Sequence, residues 1–142
     1  MRTAASTEKF VHAYVASVAM LGVIAFVLSC FIDPITQPSD GFTGPAGLAV
    51  FVLIAFGLQI AEHRLTVGTA TGSIAFIVYL ASALVFGPTW CVIIVSVTVG
   101  VAQLLSRKSP IKILFNVSQH VLALVGGSIA YMALGGPLCQ YE

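Results

Sequence analysis

Asn116, Gln119 and His120 stand together at the head of a segment that then runs apolar to Gly136. With His12, Gln59 and Gln103 they form a small set of amides and imidazoles in a chain that has little else to do chemistry with. An amide donates and accepts hydrogen bonds but offers no nucleophile. Imidazole is the side chain whose ordinary charge change falls near neutrality. The chemistry within reach is therefore hydrogen bonding between helices, or a polar layer that senses a ligand or a proton through His12 and His120. Asn116 and His120 are four residues apart and Gln119 is three from Asn116, so a helix puts them on one face. That face should point into a bundle, because an unpaired amide in hydrocarbon costs several kcal/mol.

Catalytic machinery does not assemble. The acids are Glu8, Asp33, Asp40, Glu62 and Glu142, and no carboxylate pair, nucleophile elbow or phosphate loop can be built from the chain. Glu62-His63-Arg64 reads as an interfacial anchor. Cys30, Cys91 and Cys139 form no CxxC and no Cys/His ligand spacing, which argues against a metal. They allow one disulfide in an oxidising compartment, with the pairing open and the third thiol free. No basic run with interleaved aromatics suggests nucleic acid. The expectation is a chain that is no enzyme and holds no cofactor.

These residues must be positioned by elements made for lipid. Of the 142 residues 58% are hydrophobic and 8% charged, against about 25% charged in a soluble domain, and the mean hydropathy is +1.04. Charge-free stretches cover 10–32, 44–61, 65–106 and 113–141. One crossing needs about 20 apolar residues, so the third stretch is two helices. Phe86-Gly87-Pro88 divides it, since glycine permits an unusual turn and proline starts a helix well. The spacing predicts one all-α transmembrane domain over 1–142, with helices near 10–32, 46–62, 69–86, 88–106 and 111–134. Helices three and four form a tight FGP hairpin. Helix three opens with the polar stretch Thr66 to Ser73, and from Gly72 onward it reaches only about 22 Å, short of a ~30 Å hydrocarbon core. Either Thr and Ser extend the span by bonding back to their own helix, or helix three is a half-helix.

Arg2 and Lys9 precede helix one, Arg64 follows helix two, and Arg107, Lys108 and Lys112 surround the joint of helices four and five. Five crossings put all six on one side, which the positive-inside rule makes cytoplasmic. The N-terminus is then cytoplasmic and the C-terminus external. All six polar-layer residues lie toward the cytoplasmic face, and the cysteines toward the other. The sequon Asn116-Val117-Ser118 sits at the cytoplasmic end of a helix and carries no glycan there. Val27 to Cys30 loosely resembles a lipoprotein cleavage site, but the apolar run is too long and Leu28 too large for one. Small residues four apart, Gly68/Gly72, Ser96/Gly100, Ala123/Gly127 and Gly126/Ala130, point to close helix packing.

The order of features carries a resemblance over about residues 55–136. AEHRLTVGTATGSIAFIVYLASALVFGP, then a helix leading into RKSPIKILFNVSQH, then a helix ending in YMALGG, resembles the N-terminal membrane region of bacterial HD-GYP and GGDEF signalling proteins. The resemblance implies a sensory or anchoring module in the bacterial inner membrane, coupled to a cytoplasmic signalling protein or to further copies of itself. Such regions continue into another helix and a catalytic domain. This chain stops at Glu142, so cyclic-dinucleotide activity is not carried over. A stand-alone relative, a shortened product and a subunit all fit. The alternative is a small substrate-binding membrane component similar to those of energy-coupling-factor transporters. That alternative needs a polar pocket open to the outside, where the chain offers little beyond Thr36, Gln37, Thr43, Thr89 and Trp90.

Overall fold

A computed structural model describes residues 2–32, 44–64 and 74–136, the side chains of 2–7 and 62–64 excepted. They fold as five helices: α1 (Arg2–Ile32), α2 (Pro45–Arg64), α3 (Ala75–Phe86), α4 (Pro88–Leu105) and α5 (Pro110–Ala133). Among the described residues there is no strand, so the all-α class holds. α1 begins well ahead of residue 10 because neither glycine nor proline interrupts Arg2 to Lys9, a stretch with good helix formers. α3 covers the described part of the helix expected over 69–86. Its 12 residues reach about 18 Å, and positions 65–73 lie outside the described residues.

Two connections are defined closely. At the FGP turn Gly87 takes φ 87° and ψ 163°, a backbone open to glycine and costly for other residues. Pro88 opens α4 immediately, and the Cys91 N–H donates to the Gly87 carbonyl at 3.1 Å. The α4–α5 turn is a Schellman motif: Arg107 N–H donates to the Leu104 carbonyl and Lys108 N–H to that of Gln103. Its left-handed position is held by Arg107, at φ 53°. The end of α5 repeats the motif with Gly135 in that position, at φ 80°.

α4 is the hub, packing against all four other helices, while α1 lies on α5 and α2 on α3. Tyr79, Ile94, Val95, Val99 and Leu124 fill one core; Ala25, Val92, Val121 and Val125 fill a second beside α1. Specific contacts fix the helix directions. Thr89 at the start of α4 donates to the Ser29 carbonyl near the end of α1, at 2.8 Å. Phe51 and Phe86 meet edge-on at 5.2 Å, pairing the early part of α2 with the end of α3. Tyr14 meets Phe115 at 5.7 Å, so α1 and α5 run parallel. The helices thus alternate in direction. The starts of α1, α3 and α5 share one end of the bundle with the ends of α2 and α4, and Lys9, Arg107, Lys108 and Lys112 lie there.

The outer surface is apolar. Phe10, Met20, Phe31, Leu53, Ile77 and Leu134 are each more than half exposed, a surface that suits lipid and not water. Three helices, Glu8–Ile32, Pro88–Leu105 and Pro110–Ala133, are long and apolar enough to cross a membrane; Pro45–Ala61 and Ala75–Phe86 are apolar but shorter.

The small-residue pairs need correcting. A Cβ on Gly100, Gly126 or Gly127 would meet nothing within 4 Å, so those pairs do not close helices together within this chain. Gly68 and Gly72 lie outside the described residues. The close approach is at Gly22, where a Cβ would stand 2.9 Å from the Ser118 Cβ, and it seats α1 on α5.

Candidate functional site

Two side-chain hydrogen-bond groups lie in the basic half of the bundle. Gln59 sits near the end of α2, one helical turn from Ala55, and is buried. Its Oε1 accepts the Tyr79 hydroxyl of α3 at 3.0 Å. The same hydroxyl lies 3.0 Å from Thr98 Oγ1 on α4, and Thr98 lies 2.8 Å from the Ile94 carbonyl of its own helix. Three helices are therefore joined through one phenol. Tyr79 and Thr98 are almost completely buried, as they must be for the bonds to matter in an apolar interior.

A second bond closes the α4–α5 side. Asn116 Nδ2 donates to Gln103 Oε1 at 3.0 Å, across a turn short enough to bring the two residues level. His120 bridges the two groups: its Nδ1–H donates to the Asn116 carbonyl at 2.8 Å, and its ring meets Tyr79 edge-on at 6.3 Å. The Tyr79 carbonyl in turn accepts the Ser82 hydroxyl at 2.7 Å and the Cys91 thiol at 3.0 Å.

Of the six residues singled out from sequence, the structure brings Gln59, Gln103, Asn116 and His120 into this region and leaves two out. His12 is exposed, and its Nδ1–H donates to the Glu8 carbonyl one turn back at 2.8 Å. Gln119 is exposed, because it lies about 60° around α5 from Asn116 on the side away from His120, and about 100° from His120 itself. Sequence reasoning missed Tyr79 and Thr98. A signal existed, since a phenol or hydroxyl in mid-helix needs a hydrogen-bond partner, but both sit in strongly apolar surroundings that read as plain core.

Cys30 and Cys91 are free thiols, so the disulfide expected as allowed is not formed between them. Cys91 is buried against Tyr79 instead, and Cys139 lies outside the described residues. Among the described residues no group of His, Cys, Asp or Glu could hold a metal.

What this arrangement does chemically is couple helix positions. Displacing α3 separates its phenol from α2, α4 or both, and the groups left behind have no water to turn to. Comparison with protein-family models, curated proteins and solved structures finds no match. The class the fold defines is an all-α helical bundle in which three helices are long and apolar enough to cross a membrane.

Proposed function

We propose that this chain is a non-enzymatic integral membrane module, sensory or anchoring, that couples to a cytoplasmic signalling partner through its basic end. The observation that carries the reading is the Gln59–Tyr79–Thr98 chain of hydrogen bonds, which joins α2, α3 and α4 in the basic half of the bundle. A signal that shifts one helix is passed to its neighbours through those bonds. The alternating helix directions support five membrane elements with a cytoplasmic N-terminus and an external C-terminus, α3 being a short helix sheltered by α2 and α4. The resemblance to the membrane regions of HD-GYP and GGDEF proteins points the same way.

The transport-component alternative gains less support. Thr89 donates to the Ser29 carbonyl and Trp90 is half-buried; Thr36, Gln37 and Thr43 lie outside the described residues.

The test is photo-crosslinking in living cells from two positions at opposite ends of α1, Lys9 and Phe31. The reading predicts a cytoplasmic-protein adduct from position 9 and none from position 31, with the adduct weakened by Tyr79→Phe. Adducts of equal strength from both ends, or an adduct indifferent to Tyr79→Phe, would sink it.

A further inference from the structure

The α4–α5 turn carries three cations in six residues, Arg107, Lys108 and Lys112, all exposed. No acid lies near them in the chain: the nearest are Glu62 before and Glu142 after. The backbone adds a second observation. Both Schellman motifs need a residue in the left-handed region, and α5 fills it with Gly135 whereas α4 fills it with Arg107. A side chain there is strained relative to glycine. Arg107 therefore holds its place at some cost in backbone energy, which a use for its charge would offset.

Depth decides the partner. α4 has 18 residues, about 27 Å, slightly less than a ~30 Å hydrocarbon core, so a basic tip at its end reaches the level of the lipid phosphates and not the water beyond. Leu104, Leu105 and Leu114 flank the cations and are at least half exposed. Apolar side chains beside cations suit a molecule that has acyl chains and an anionic head, and suit a soluble acidic segment poorly.

We infer that the α4–α5 turn is a binding surface for an anionic phospholipid, its phosphate held by Arg107, Lys108 and Lys112 and its acyl chains by the neighbouring leucines. The inference rests on the membrane reading of the bundle. It gives the basic end a fixed depth and places lipid composition among the signals that reach Gln103 and Asn116, each a few residues from the turn.

The experiment uses the full chain purified in a neutral detergent. Flotation with phosphatidylcholine vesicles first tests membrane insertion, which needs no charge. Native mass spectrometry then measures retention of phosphatidylglycerol against phosphatidylcholine offered equally. The expected result is flotation with neutral vesicles and a preference for phosphatidylglycerol of about tenfold or more. The triple variant Arg107→Gln, Lys108→Gln, Lys112→Gln should lose that preference while unfolding at an unchanged temperature in neutral detergent. Arg107→Gly should weaken the preference while unfolding at a higher temperature, which separates charge from fold. Equal retention of both lipids, or a preference that survives the triple variant, overturns the inference and leaves the membrane reading intact. Displacement of phosphatidylglycerol by inorganic phosphate or soluble tetraglutamate at equal charge also overturns it, since any anion then suffices. A chain that fails to float overturns the membrane reading and the inference together.

Discussion

Tyr79 has one hydroxyl proton and two oxygens at 3.0 Å, Gln59 Oε1 and Thr98 Oγ1. If that proton goes to Gln59, Thr98 must supply the second bond, and Thr98 then turns from the Ile94 carbonyl 2.8 Å away. The phenol thus links α2, α3 and α4 through its hydrogen bonds. Tyr79→Phe should lower the stability of the detergent-solubilised protein by about 1–2 kcal/mol, read as a drop in thermal unfolding temperature. Tyr79→Phe combined with Gln59→Leu should cost less than the sum of the two, because the pair shares one bond. Asn116→Leu should also destabilise, since it leaves Gln103 Oε1 short of its donor. Gln119→Leu should not, as that side chain is exposed. Equal losses from Asn116→Leu and Gln119→Leu in the same unfolding assay would contradict the pairing. The amides were readable from sequence because polar side chains stand out against an apolar run. Tyr79 and Thr98 were not, because their apolar portions match the core around them and only tertiary placement shows where the hydroxyls go.

Helix packing turns on a few small residues, and the ones that count were not those the spacing suggested. Pairs four apart on α5 face outward, while the unpaired Gly22 meets Ser118. Spacing reports which side chains share a helix face; it does not report which face is covered. Gly22→Leu should force α1 off α5 and cost about 1–3 kcal/mol by overpacking. Gly127→Ala meets open space and should be neutral or stabilising by up to about 1 kcal/mol through helix propensity. Thermal unfolding of both variants in one detergent checks the contrast, and a larger loss from Gly127→Ala than from Gly22→Leu would contradict it. The FGP turn was legible at residue level because Gly and Pro act locally. The start of α3 was not, because Thr, Gly and Ser between 66 and 73 permit both a helix and a break.

The whole molecule is a hub-and-spoke bundle, with α4 in contact with every other helix and α1 exposed along most of its length. Alternating directions gather Lys9, Arg107, Lys108 and Lys112 at one end, the same end toward which Gln59, Gln103, Asn116 and His120 lie. That coincidence of charge and buried polarity is the central claim: a membrane bundle whose polar connector lies against its cytoplasmic, basic face. Composition made a helical bundle with an apolar surface legible, because that depends on residue type alone; the sidedness that Lys and Arg placement suggests is for labelling to decide. Single thiols introduced by Lys108→Cys or Leu134→Cys, on a background with Cys30, Cys91 and Cys139 replaced, test it most directly. The measurement is labelling of intact cells with a membrane-impermeant maleimide. The account predicts labelling at 134 from outside and at 108 only after permeabilisation. Labelling of both positions, or of 108 alone, from outside would contradict it.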